Sequence, residues 1–151
     1  MKTKISSAII LFMLLVTACS EDKSKSLKMT LQASNNMYII VNKDSTLTAT
    51  EPDAAKAEVF EKVKQPNGKW AIKTSKGKFI TDERGKGNII NANRNSANDW
   101  ELFEIVRTEP SKINLKASSG KFICADQAGG NKLTANRDGA GDWETFTIEK
   151  K

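Results

Sequence analysis

Two short motifs hold most of the side chains in this sequence that are suited to binding a small ligand. One runs from Asn93 to Trp100 and the other from Asn136 to Trp143. A tryptophan ring offers an apolar wall for a sugar ring, and the neighbouring amide, carboxylate and guanidinium groups can bond to hydroxyls. A few converging polar groups beside an apolar wall are what such sites need. The motifs predict two shallow pockets, built from Asn93, Arg94, Asp99, Trp100, Asn136, Arg137, Asp142 and Trp143.

The same residues have a second interpretation, in which they only brace the fold. In each motif the arginine is placed to stack on the tryptophan and to pair with the glutamate that follows it, Glu101 or Glu144. Arginine is well suited to both contacts, because its planar guanidinium stacks on aromatic faces and pairs with carboxylates. At the level of sequence, ligand binding and bracing both stay open.

The motifs belong to an internal repeat of 43 residues. Aligned without a gap, residues 70–106 and 113–149 are identical at 17 of 37 positions. A fainter copy lies a further 43 residues upstream, where Ala49, Glu58 and Phe60 keep the same step. A fixed period of this length indicates a fold made of repeated supersecondary units.

Each copy predicts four strands, because apolar and polar residues alternate between turn-forming segments. In the third copy these strands are 113–117, 121–125, 132–136 and 143–148, and in the first they are 29–33, 38–41, 47–49 and 58–63. A propeller needs about four to eight blades, whereas a β-trefoil needs three copies. The prediction is therefore an all-β fold, a β-trefoil of three repeats of about 43 residues, at 28–64, 69–106 and 112–150.

The pattern Gly-Lys-Phe, Ala-Asn-Arg and Trp-Glu-x-Phe resembles the fascin-type β-trefoil. It is complete from Gly77 to Phe103 and again from Gly120 to Phe146. The first copy departs from it, since Asn36 replaces the glycine, Thr50 and Glu51 replace Asn-Arg, and Ala57 replaces the tryptophan. Bacterial fascin-like trefoils occur beside carbohydrate-active enzymes, so the resemblance implies polysaccharide binding.

Recurring aromatic residues predict the core. Tyr38, Phe79 and Phe122 recur on the second strand, whereas Phe60, Phe103 and Phe146 recur on the fourth. Trp70 replaces an isoleucine of the third copy and is expected to pack among apolar side chains. Cys124, on an apolar strand, is expected to be a small buried residue.

The residue inventory argues against an enzyme. The chain has no histidine, which removes Ser-His-Asp and Cys-His catalysis and the common zinc ligand sets. The carboxylates Asp82, Glu83 and Asp126 have no calcium-loop spacing and are expected to be solvated charges. No cofactor or metal is predicted. The net charge of +6 is spread along the chain and forms no nucleic-acid-binding motif.

The first residues predict a membrane anchor. Residues 1–18 combine a basic start, an apolar run and a small-residue end, as a secretory signal peptide does, and Val16-Thr17-Ala18-Cys19 resembles a bacterial lipobox. The resemblance implies lipidation of Cys19, such as by palmitate, and a location in the bacterial outer membrane. Residues 19–27 would form a flexible tether before the β-trefoil at 28–151. Acidic residues just after Cys19 resemble an export signal and favour exposure at the cell surface.

Two functions of different classes follow. The first is a non-catalytic, membrane-anchored module that binds a polysaccharide or another glycan through the two tryptophan motifs. The alternative is a protein–protein interaction module, such as an adhesin, an inhibitor or a subunit of an outer-membrane complex. The small number of aromatic residues left outside the predicted core favours the alternative slightly.

Overall fold

The computed structural model describes residues 26–151, so the predicted signal peptide, Cys19 and residues 20–25 of the tether lie outside the described residues. Every strand predicted for the first and third copies forms, and its ends differ from the predicted ones by at most two residues. The bounds are β1 (Leu27–Gln32), β2 (Tyr38–Val41), β3 (Leu47–Glu51), β4 (Phe60–Lys64), β5 (Trp70–Lys73), β6 (Phe79–Glu83), β7 (Ile89–Arg94), β8 (Leu102–Glu109), β9 (Lys112–Ala117), β10 (Phe122–Asp126), β11 (Lys132–Arg137) and β12 (Thr145–Lys150). Within residues 26–151 no helix is long and apolar enough to cross a membrane.

The first and fourth strands of the three repeats close into a six-stranded antiparallel barrel. Its hydrogen-bonded order is β1, β4, β5, β8, β9 and β12, and β12 pairs with β1 to complete the ring. Closure leaves these six strands without a free edge, which removes a template for aggregation.

The second and third strands of each repeat form a hairpin: β2–β3, β6–β7 and β10–β11. The hairpins meet one another where β11 pairs with both β3 and β7 and where Thr46 bridges Asn91. A closed barrel with three mutually packed hairpins is the β-trefoil, so the predicted fold class is confirmed.

Phenylalanines of the fourth strands fill the centre of the barrel. Phe60, Phe103 and Phe146 are all 0% exposed, as their recurrence predicted. They pack with apolar residues from every repeat, including Met29, Leu31, Ile72, Ile113 and Leu115.

The prediction that the second-strand aromatics fill the same core is wrong for two of them. A β-bulge follows Tyr38, Phe79 and Phe122 and changes which face each residue occupies. The isoleucines one residue later, Ile39, Ile80 and Ile123, therefore enter the core and are at most 1% exposed. Phe79 and Phe122 are only half-buried.

Those two rings instead lie beneath lysines of the preceding strand. The ammonium of Lys73 lies 5.9 Å from the centroid of Phe79, and that of Lys116 lies 5.5 Å from that of Phe122. Trp70 likewise is half-buried rather than packed only among apolar residues, with the Lys62 ammonium 4.1 Å from its ring centroid.

The first repeat keeps one backbone feature despite its different sequence. Asn36 stands where the other copies have glycine, and its φ of 62° is left-handed, like the 77° of Gly77 and the 81° of Gly120. Asparagine is one of the few residues that adopt this conformation readily. The substitution therefore preserves the turn between the first two strands.

Candidate functional site

Both exposed tryptophans lie in short 3-10 turns, not at the start of a strand as the sequence predicted. The turns are Asp99–Glu101 and Asp142–Glu144, and β8 and β12 begin immediately after them. The carboxylates that end the turns hold them closed: Glu101 accepts the Asn98 N–H at 2.8 Å, and Glu144 accepts the Gly141 N–H at 2.7 Å. Because the turn backbone is not extended, each fourth strand begins two residues after the tryptophan, at Leu102 and Thr145.

The turns hold Trp100 and Trp143 at the surface. Trp100 is 40% exposed and Trp143 is 37% exposed, and among residues 26–151 they are the large hydrophobic side chains classed as exposed. Each glutamate fixes the turn, and the turn leaves the indole ring exposed. An exposed indole ring offers a surface on which a ligand can stack.

Arg94 is held by two buried carboxylates. Its Nη2 donates to Glu83 Oε1 at 2.9 Å, and its Nε lies 3.5 Å from Glu101 Oε1. The predicted pairing with Glu101 is therefore confirmed, and Glu83 joins it. Arg94 thus carries a bracing role whether or not a ligand binds.

The guanidinium over Trp100 is that of Arg84, whose Cζ lies 5.7 Å from the ring centroid. The bracing interpretation predicted that Arg94 would stack on this ring, and that prediction is wrong. In the third repeat it is correct, because the Cζ of Arg137 lies 5.8 Å from the centroid of Trp143. Arg137 Nε also lies 3.7 Å from Glu144 Oε1.

A shallow surface pocket of about 470 Å³ surrounds Trp100. Its lining is Arg94, Asn98, Asp99, Trp100 and Glu101. Three of the predicted residues of this repeat therefore meet there, and Asn98 was missed. Asn93 lies elsewhere: it lines a separate cleft with Lys43, and its Nδ2 donates to Glu83 Oε1 at 3.3 Å.

The third repeat has an equivalent 3-10 turn, with Arg137 over the ring of Trp143. Asp142 lies in the same 3-10 turn and is exposed, as is Asn136. The Oδ1 of Asn136 lies 3.4 Å from the buried Cys124 Sγ. Cys124 is 0% exposed, so its prediction as a small buried residue is confirmed.

Asp82 and Glu83 are buried, so their assignment as solvated charges is wrong. Asp82 is 0% exposed and Glu83 is 6% exposed. Asp82 Oδ2 accepts a hydrogen bond from Ser119 Oγ at 2.8 Å, whereas Oδ1 is buried and makes no hydrogen bond. The repeat held a signal for this burial, because Asp82 occupies the position of Ala125, which lies on an apolar strand.

Asp82 makes the stability of the fold depend on pH. Burial raises the pKa of its carboxyl, and the Ser119 hydrogen bond and the nearby Arg84 only partly offset that effect. Since the folded pKa lies above the unfolded one, the folded chain binds the proton more tightly. The carboxyl therefore lowers the free energy of unfolding as the pH rises from the unfolded pKa through the folded one.

We expect Asp82→Asn to raise the free energy of unfolding at pH 7 by about 1 kcal/mol, because it removes a buried charge with an unpaired oxygen. Urea unfolding from pH 3 to 7 should also show a smaller decline in stability than the wild type. Asp44→Asn is the matched control. Hydrogen bonds from Thr46 lower the pKa of the Asp44 carboxyl, so its removal should change the pH dependence in the opposite direction.

The residues that the structure describes contain no group of three or more His, Cys, Asp or Glu side chains arranged to hold a metal ion. What the geometry does offer is a pair of exposed indole rings, each beside a carboxylate and an arginine. Such an arrangement can stack on a flat apolar face and donate or accept hydrogen bonds at its edge.

The architecture defines the chain as a β-trefoil protein. A fascin-domain model matches residues 10–105, and a model described as a domain of unknown function (DUF7910) matches residues 69–151. Each covers more than half of the chain, which therefore belongs to the fascin-domain family and also matches that uncharacterised family. No curated protein gives a significant match.

Two solved structures share the fold. The designed 3-fold symmetric protein ThreeFoil superposes with a TM-score of 0.69 at 16% identity, over 80% of this chain and 96% of its own. The GlcNAcα1-4Gal-releasing endo-β-galactosidase from Clostridium perfringens gives a TM-score of 0.68 at 9% identity, over 83% of this chain and 32% of the enzyme. At these identities the likeness shows the fold alone.

Proposed function

We propose that the chain is a non-catalytic carbohydrate-binding module whose contact points are the rings of Trp100 and Trp143. The observation that carries the proposal is the exposure of both rings from equivalent 3-10 turns. Exposing an indole forfeits the stability that its burial would add. Two repeats do so at the same position.

The polar groups beside Trp100 suit a sugar. Asp99 and Asn98 line the pocket and are exposed, so they can exchange water for sugar hydroxyls. Arg94 and Glu101 form an ion pair with each other, and both side chains line the pocket. We assign stacking to the tryptophan, hydrogen bonding to Asn98 and Asp99, and positioning to Arg94.

The occurrence of the same fold within a galactosidase that releases GlcNAcα1-4Gal adds modest support. Fold likeness is a weak argument for function by itself, so the assignment depends on the exposed rings. Two exposed tryptophans and a first repeat with Ala57 in place of tryptophan would make the module at most bivalent. Spaced, repeating glycans would then gain from avidity.

A glycan array tests the proposal directly. The chain from Ser20 onward is compared with a Trp100→Ala/Trp143→Ala double variant. The wild type should bind a family of glycans, and the double variant should lose that binding while retaining β-rich circular dichroism.

A Trp70→Phe variant is the control for loss of a tryptophan, because Trp70 is the remaining tryptophan of the chain and does not line the Trp100 pocket. It should bind the same glycans as the wild type. Equal glycan binding by the double variant would contradict the site assignment, and a blank array for the wild type would favour the protein-interaction alternative.

We also propose that Cys19 is lipidated and anchors the module in a bacterial outer membrane. The support is the lipobox-like segment that ends at Cys19. Several acyl chains on one residue give stable anchoring, since each buried CH₂ contributes about 0.8 kcal/mol. Labelling with palmitate should mark the wild type and not Cys19→Ser, and labelling of both would refute the anchor.

A further inference from the structure

A groove of about 420 Å³ lies at the opposite end of the barrel from the tryptophan turns. It is formed by the start of β1 and the β4–β5 hairpin. Its apolar wall is Leu27, Val63 and the ring of Trp70, and its charged residues are Lys62, Lys64 and Glu61. None of these residues belongs to the proposed carbohydrate-binding sites at Trp100 and Trp143.

The groove has an excess of positive charge. The ammonium of Lys62 lies 4.1 Å from the centroid of the Trp70 ring. Burial lowers the pKa of Lys62, and the nearby positive charges of Arg107 and Lys150 lower it further. Glu61 is the one acid that lines the groove. A negative group placed here would relieve repulsion among these cations.

The chain topology puts this groove beside both chain ends. The fourth strand of each repeat returns to the end of the barrel at which the next repeat begins. The first strand therefore starts at Leu27, and the last strand ends at Lys150, on the same side as the β4–β5 turn. The Lys151 N–H donates to the Lys28 carbonyl at 3.0 Å, which holds the two termini together.

The tryptophan turns lie at the other end of these strands. The turn that holds Trp100 immediately precedes β8, and β8 then runs towards the turn at Pro110 that leads into β9. Trp143 has the same relation to β12 and the carboxyl terminus. A membrane or partner bound at the groove would therefore leave Trp100 and Trp143 on the opposite side of the protein.

We propose that the surface formed by Lys62, Lys64, Trp70, Arg107 and Lys150, the tether face, docks on an anionic lipid membrane. Indole rings favour the boundary between water and lipid, and lysines near an anionic surface add attraction. The predicted lipid site, Cys19, precedes Ser26 by seven residues. A fully extended tether of that length reaches about 25 Å, so an anchored chain would keep this face close to the bilayer.

The test needs no lipid on the protein. The chain from Ser20 onward, which includes all twelve strands, is sedimented with vesicles of 30% phosphatidylglycerol in phosphatidylcholine. It should bind at low salt and dissociate at 0.5 M NaCl. Lys62→Gln/Lys64→Gln should weaken binding about 25-fold, because each basic residue near such a surface contributes about a factor of five.

Lys56→Gln/Lys86→Gln is the matched control. It removes the same charge at two exposed positions. Lys56 lies between β3 and β4 and Lys86 lies in the β6–β7 loop, so neither belongs to the tether face. This variant should bind vesicles nearly as well as the wild type. Glycan binding should be unchanged in either double variant. Vesicle binding therefore reports on membrane docking, and glycan binding reports separately on the proposed carbohydrate-binding function.

The position of Trp70 gives a second measurement. The chain has three tryptophans, so a Trp100→Phe/Trp143→Phe variant reports from Trp70 alone. Its emission should shift to shorter wavelength on anionic vesicles and be quenched by brominated lipid. Binding without this shift, equal binding to pure phosphatidylcholine, or equal loss in both lysine variants would overturn the proposal.

Discussion

Phe103→Ala is expected to lower the free energy of unfolding by about 3–5 kcal/mol, as large-to-small changes of buried aromatics do. Phe103 is 0% exposed and packs at the barrel centre with its counterparts Phe60 and Phe146. Each repeat contributes one of these rings, so a cavity at one affects the packing of all three. Urea unfolding followed by far-UV circular dichroism measures the loss.

Phe122→Ala is the matched control, since it removes the same ring from the second strand of the third repeat, β10. Phe122 is half-buried outside the core, below the Lys116 ammonium. Its loss should lower the free energy of unfolding by only about 1–2 kcal/mol, as expected for partial burial. Equal destabilisation by the two changes would contradict the placement of the bulges.

The contrast between these phenylalanines shows what the repeat could and could not predict. Threefold recurrence of apolar positions predicted the trefoil, because three copies must bury their faces against one another. It treated Phe103 and Phe122 as equivalent. The bulge after Phe122 changes the inward face by one residue, and alternation alone cannot place such an insertion.

The candidate site was predictable to the extent that its contacts are local. The pairing of Arg94 with Glu101 and that of Arg137 with Glu144 join residues seven apart, and the sequence predicted both. Arg84 reaches Trp100 from another loop, and nothing in the spacing indicates that contact.

Contacts between repeats were harder still to predict. Asp82 of the second repeat is bonded by Ser119 of the third, 37 positions later. A charged residue in a loop-like segment is normally solvated, so composition favoured the wrong assignment. Only alignment with Ala125 marked this position as apolar and therefore buried.

Arg94→Met is expected to lower the free energy of unfolding by about 2–3 kcal/mol. Removing one partner of a fully buried ion pair costs about 3–5 kcal/mol, because the other charge is left uncompensated. Arg94 is 38% exposed, whereas its partners Glu83 and Glu101 are 7% and 3% exposed. Water can therefore enter beside the remaining carboxylates and reduce the loss. Urea unfolding at pH 7 measures it.

Arg137→Met provides the comparison within the same chain. Arg137 makes one ion pair, at 3.7 Å to Glu144, which is 8% exposed, so its removal leaves one uncompensated carboxylate instead of two and should cost less, about 1–2 kcal/mol. Adding Glu83→Gln to Arg94→Met should restore part of the lost stability, because one of the two uncompensated charges is then absent. Equal losses for the two arginine variants, with no restoration, would contradict the buried pairing.

These arginine variants also separate bracing from ligand contact. Bracing by Arg94 predicts that glycan binding and stability fall together in Arg94→Met, and that Glu83→Gln restores both in part. Direct contact between Arg94 and the glycan predicts that binding stays lost when stability returns. The two 3.5 Å or shorter contacts of Arg94 with buried glutamates favour the first outcome. The indole of Trp100 would then supply the binding surface, and Arg94 would fix the pocket on which that surface depends.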